Sequence, residues 1–207
     1  MQKIKEELIS EILWRAKELK NIEFLYENNI HIDVIKIGEI KKEKIINTPA
    51  SKYILRTAIP LIYAHWEGFF KKSIKLTNIK LDELALDYNK LDNSLLSSLT
   101  QDKQAEKFKN TKLLFSDIII NTESNLRWKV LEKFINRYNF NFEKYMKYKN
   151  TIEKILAIRN AISHGENSYH FEDISKINEY RIDTLKLMIL TKNEVISYLE
   201  YKNYYSS

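Results

Sequence analysis

The sequence predicts an all-α bundle of four to five principal helices, and three observations predict it. The 207 residues include only three Gly and two Pro, too few for the many tight turns of a β-sandwich or barrel. Apolar residues make up 44% of the chain and charged residues 30%, enough to build a sizeable core and too apolar for a disordered chain. Apolar side chains also recur every three or four residues along much of the chain, the period of a helix with one buried face.

Taken in order, residues 3–27 place Ile4, Leu8, Ile12, Leu19 and Ile22 on one stripe with Lys and Glu between them, an amphipathic helix. From Asn28 to Asn47 the pattern weakens: Ile30, Ile32 and Val34 alternate and Gly38 interrupts. This reads as an irregular connector with a short strand or helical extension. A second helix is expected over 51–76. Its middle is apolar nearly all round, as the central helix of a bundle must be. Pro60 removes one backbone donor there and is expected to kink it, and Gly68 offers room for close approach. Residues 77–148 break into short periodic pieces between Asn, Asp, Ser and Thr clusters, expected as short helices in an insertion. Asn150 and Glu153 form the pattern of a capping box for a helix whose stripe is Ile152, Ile155, Leu156, Ile158 and Ile162. Gly165 stands where a left-handed C-terminal residue is expected. A last helix over 173–202 carries Ile174, Ile177, Leu185, Met188, Ile189, Val195 and Leu199. At this length the chain fits a single domain, 1–207, with the insertion at about 77–148.

Composition excludes several functions. There is no Cys, hence no disulfide framework, no Cys-ligated zinc and no thiol nucleophile. The first twenty residues carry charges throughout, unlike a signal peptide. No run of about 18 apolar residues suggests a membrane span, so a cytoplasmic location is expected. The net charge of +6 would suit a polyanion, but a Lys-, Ile-, Asn- and Tyr-rich composition raises the charge without selection for binding. Only six of the 34 basic residues are Arg: Arg15, Arg56, Arg127, Arg137, Arg159 and Arg181. Each weighs more than a Lys as a bidentate phosphate ligand.

Acid–base chemistry then rests on four His, the carboxylates, Ser and Tyr. His31 and His170 read as surface residues. His164 and His170 lack any metal-ligand spacing, so no metal and no cofactor are expected. His164 differs in its company, Arg159-Asn160-Ala161-Ile162-Ser163-His164-Gly165. Arg159 and His164 lie about 140° apart on an ideal helix, so they converge only if the last turn uncoils. Asn160 shares a face with His164 and is placed to orient the imidazole, and the helix C-terminus favours a protonated ring. A fixed cation beside a titratable His is what metal-independent RNA cleavage needs. The plain alternative is an Arg capping helix carbonyls and a His that merely ends the helix.

The segment 159–165 resembles the R-x(4–6)-H motif of HEPN domains, with the Asn after Arg that their ribonuclease members favour. Leu61-Ile62-Tyr63-Ala64-His65-Trp66-Glu67-Gly68-Phe69-Phe70-Lys71 is similar to the central-helix signature of one bacterial HEPN-like nuclease family. The resemblance implies a HEPN bundle that homodimerises, joining two motifs in one cleft. It implies a metal-independent endoribonuclease acting on RNA in toxin–antitoxin or abortive-infection (antiviral) defence, with an antitoxin or other defence-system partner protein and no membrane. Carried onto this chain, Arg159 binds the scissile phosphate, His164 is general acid or base, and Asn160 positions the imidazole or the phosphate. Glu67, His65 and Ser163 are possible supporting residues. Glu67 in an apolar stretch demands a partner: either it reaches the cleft or Arg159, or it bonds Arg56, Arg127 or a Tyr and fixes helix register. The alternative function is a non-catalytic HEPN-like interaction or nucleotide-binding module. Trp66, Tyr63 and Phe69 read as core. Lys41-Lys42 and Lys71-Lys72 read as solvated. The tail from Tyr198 to Tyr205 reads as a frayed end or partner strip before it reads as an RNA-stacking surface.

Overall fold

The computed structural model describes residues 1–37, 49–84, 86, 90–93, 95, 115–117, 120–122, 125–166 and 174–205. Side chains are described to Leu25 in the first helix and from Ile54 in the second, apart from those of Leu55 and Asp117. Among these residues there are six α-helices: α1 (Gln2–Ile37), α2 (Pro49–Glu83), α3 (Trp128–Arg137), α4 (Phe142–Met146), α5 (Lys149–Ser163) and α6 (Ile174–Glu200). A 3-10 turn spans Phe115–Asp117. The fold is all-α.

α2 is the hub, packed against α1, α5 and α6. A helix with three helical neighbours must be apolar on several faces. Ala58, Ile59, Ile62, Tyr63, Trp66, Phe69, Phe70 and Ile74 are accordingly all buried. Phe70 meets Phe134 of α3 edge-on at 5.4 Å and Trp66 at 5.6 Å. A second aromatic group, Tyr138, Phe140, Tyr145, Tyr198 and Tyr204, joins the α3–α4 corner to the end of α6. Within it the Tyr138 hydroxyl donates to Asn78 Oδ1 on α2 at 2.7 Å, and burial pushes its pKa up to about 12.

Several boundaries differ from the sequence expectation, each for an identifiable reason. α1 runs on to Ile37: no Gly or Pro intervenes before Gly38, and propagation outweighs the few tenths of a kcal/mol that β-branched residues cost (~0.5 each at most). α2 likewise extends to Glu83, passing Pro60 without ending, so the first residues of the expected insertion belong to the central helix. The N-cap of α5 is Tyr148, not Asn150, and it makes no side-chain cap bond. Glu153 instead accepts the Trp128 backbone N–H at 2.9 Å and so closes the start of α3. On α6, Ile189 is exposed, and the buried stripe runs through Tyr180, Thr184, Leu187, Met188, Thr191, Glu194 and Val195. The tail packs inward: Tyr204 is buried, and Leu91 and Tyr205 form an antiparallel bridge.

Gly68 accommodates a side chain rather than a helix backbone. A Cβ there would lie 3.2 Å from Arg15 Nη1, where the buried guanidinium stacks over Trp14 and donates to Glu11. His65 faces the same side, edge-on to Trp14 at 5.6 Å, with Nε2 3.3 Å from Glu18. Burial, then the Arg15 charge, hold its pKa below the ordinary histidine value, with Glu18 opposing. The unfolded chain therefore takes up this proton before the folded one does. Stability from this group is fully present above about pH 6.5 and declines as the pH falls below it. We expect the urea midpoint to fall between pH 7.5 and 5, and the fall to be smaller in His65→Gln; an unchanged slope in that variant would contradict the assignment.

Candidate active site

α5 ends in a closed and well-defined turn. Gly165 has φ +76°, its N–H donates to the Ile162 carbonyl at 3.1 Å, and the Glu166 N–H donates to the Ala161 carbonyl at 3.0 Å. These are the two reverse bonds of a Schellman motif. His164 is the C-cap residue, its N–H bonded to the Asn160 carbonyl at 2.9 Å. A Cβ at Gly165 would meet nothing within 4 Å, so the backbone conformation alone demands glycine. Gly165→Ala should cost about 1–2 kcal/mol, read as a lowered urea midpoint; a neutral result would mean the turn relaxes freely.

Six residues back along α5, Arg159 points inward at half-burial. Its Nη1 donates to Asn125 Oδ1 and to Asn160 Oδ1, both at 2.9 Å. Its guanidinium carbon sits 5.5 Å from the centre of the Tyr63 ring, in cation–π range. Both hydrogens of Nη1 are thus taken by neutral amides. Nε and Nη2 donate to no described residue, and no described carboxylate pairs with the group. That free edge is the side a guanidinium uses to grip two oxygens of one phosphate.

Behind Arg159 lies a polar chain rooted on α2. The Tyr63 hydroxyl accepts the Leu126 N–H, fixing the backbone one residue from Asn125. Burial, then the Glu67 carboxylate, push the Tyr63 pKa well above its ordinary range, so the ring stays a neutral support. Glu67 accepts from Thr122 Oγ1 at 2.7 Å and pairs with Lys71 at 2.9 Å. It bonds neither Arg159 nor Arg56, and Lys71 is a partner rather than merely solvated.

The other expected residues spread out. Asn160 holds the guanidinium, where the sequence suggested it would hold the imidazole. His164 and Ser163 are exposed, and among the described residues the His164 side chain has no hydrogen bond, ion pair or ring contact. The last turn does not uncoil. His65 lies two residues from Tyr63, about 200° round the helix, among α1 side chains and away from Arg159. The side chain of His31 and all of His170 lie outside the described residues. No group of three His, Asp or Glu able to hold a metal occurs among the described residues, and no described helix is long and apolar enough to cross a membrane.

A family model described as RiboL-PSP-HEPN matches residues 10–197. The chain belongs to this HEPN family. No curated protein and no solved structure matches it. The match begins within α1 and ends in the last turn of α6, and the family suggests a nuclease- or RNase-like module.

Within the HEPN domain, sequence reasoning missed Asn125 and the site role of Tyr63. Asn125 stands 34 residues from Arg159, and no local pattern links them. Tyr63 was legible as core, and it is 2% exposed. Its four-residue spacing to Glu67, the one acid of that stretch, was the available hint of a polar role.

Proposed function

We propose that this HEPN domain is a metal-independent endoribonuclease working as a homodimer, of the kind used in toxin–antitoxin or phage-defence systems in the cytoplasm. The observation that carries the reading is Arg159, a cation immobilised by two neutral amides, whose Nε and Nη2 donate to no described residue. A purely structural Arg in a half-buried site gains most from a carboxylate partner; this one has none among the described residues, and keeps its full charge for an anion.

The chemistry follows from the groups available. The ribose 2′-hydroxyl of the substrate attacks the adjacent phosphorus, a 2′-O–P bond forms and the P–O5′ bond breaks. The 2′ proton passes to a base and another proton reaches O5′. His164 at the solvent-facing turn exchanges these protons. The Arg159 fork stabilises the charge on the non-bridging oxygens, with Asn160 and Asn125 holding it still. Arg159 is bonded to Asn125 and Asn160 and not to His164; in the dimer a second copy supplies the complementary Arg and His, and an antitoxin or other partner protein restrains the enzyme.

An exposed His164 with no bond to Arg159 also suits a second reading, a non-catalytic interaction or nucleotide-binding module. One experiment divides the two: purified protein incubated with single-stranded RNA in EDTA, alongside expression in a host cell. Cleavage with growth arrest supports the nuclease. A stable dimer that leaves RNA intact and cells growing supports the interaction module.

A further inference from the structure

The Schellman motif already satisfies the last carbonyls of α5 that it reaches, yet one more bond is made just beyond it. Arg56 of α2 donates from Nη2 to the Glu166 carbonyl at 2.6 Å, across 110 residues of sequence. That carbonyl lies past the helix end, so helix closure does not need the bond. Seven residues along α2 from Arg56 stands Tyr63, and seven residues back along the chain from Glu166 stands Arg159. Two matched pairs result, Arg56 with Glu166 and Tyr63 with Arg159. Seven residues return a helix to within about 20° of the same face and advance it by about 10 Å. One face of α2 therefore grips the motif at both ends, holding the guanidinium at one and the backbone two residues after His164 at the other.

We propose that Arg56 is a positioning residue that fixes where His164 stands relative to Arg159, acting through the Glu166 carbonyl. The inference rests on the ribonuclease reading of that motif. Arg56 is half-buried and on a long stem, so its packing can be kept while its donors are removed. A charged donor to a carbonyl is a stronger tether than a neutral one, and small displacements of a proton-transfer group are costly in rate.

The test compares wild type, Arg56→Met and Arg56→Lys in two assays. In RNA cleavage, Arg56→Met should lower kcat by roughly 10-fold or more while KM stays within about two-fold, and Arg56→Lys should recover part of the loss. An unchanged kcat overturns the proposal. A rise in KM alone also overturns it, since Arg56 would then be holding substrate directly. In amide hydrogen exchange, Gly165 and Glu166 should exchange about 10-fold faster in Arg56→Met, while the amides of α3 are unaffected. Unaltered exchange at those two positions overturns the proposal even if wild type proves inactive on RNA, an outcome that would count separately against the ribonuclease reading.

Discussion

His164→Ala is expected to slow RNA cleavage by about 10²–10⁴-fold, the usual contribution of a positioned acid or base. Arg159→Ala should lose at least about 10²-fold, as loss of one charge-stabilising donor does. The two variants should differ in how they fail. His164 is exposed and has no hydrogen bond, ion pair or ring contact among the described residues, so His164→Ala should fold and melt like wild type. Arg159 ties together Asn125, Asn160 and Tyr63, so Arg159→Ala should also lower stability. Arg159→Lys is the sharper probe: it keeps the charge but cannot give Nη1 to both amides or present a fork, and should restore little of the rate. Single-turnover cleavage of one RNA by all four proteins checks this. A wild-type rate in His164→Ala would remove that residue from the mechanism.

The largest expected loss of stability comes from Phe70→Ala. Phe70 is completely buried, joins α2 to α3 through an edge contact with Phe134, and packs against the tilted ring of Trp66 on its own helix. Removing such a ring costs about 3–5 kcal/mol, the spread depending on how far the cavity collapses. Most small domains have total stabilities of about 5–15 kcal/mol, so the variant should be partly unfolded at 37 °C. Urea unfolding followed by circular dichroism measures this, with Tyr201→Ala, at a site 76% exposed, expected to stay within about 0.5 kcal/mol of wild type. A similarly small effect at Phe70 would mean the α2–α3 contact is not part of the stable core.

What the sequence revealed and concealed follows one physical division. The helices, the central position of α2 and the glycine at the end of α5 were legible because each leaves a local signal: a period, an all-round apolar stretch, a residue type demanded by a positive φ. The identity of Arg159 and its amide neighbour was legible in the same way. The supports were not. Asn125, Thr122 and Arg56 reach the site from 34, 55 and 110 residues away from their partners, and nothing in their neighbours marks them. Glu153 followed its own helix in the sequence but serves another, because a carboxylate on the surface of α5 found the unpaired amide at the start of α3. The convergence of Arg159 and His164 required an uncoiled turn. The two reverse bonds around Gly165 keep that turn closed, so the local geometry on which the sequence argument depended is not the one adopted.

The most direct measurement for Arg159 and His164 as a metal-free RNA-cleaving centre is the chemistry of the ends left on a defined RNA cut in EDTA. Attack by the neighbouring 2′-hydroxyl leaves 2′,3′-cyclic phosphate on one fragment and a 5′-hydroxyl on the other, and both should disappear in His164→Ala. Fragments bearing 3′-hydroxyl and 5′-phosphate ends, or cleavage that starts only when a divalent ion is added, would contradict it.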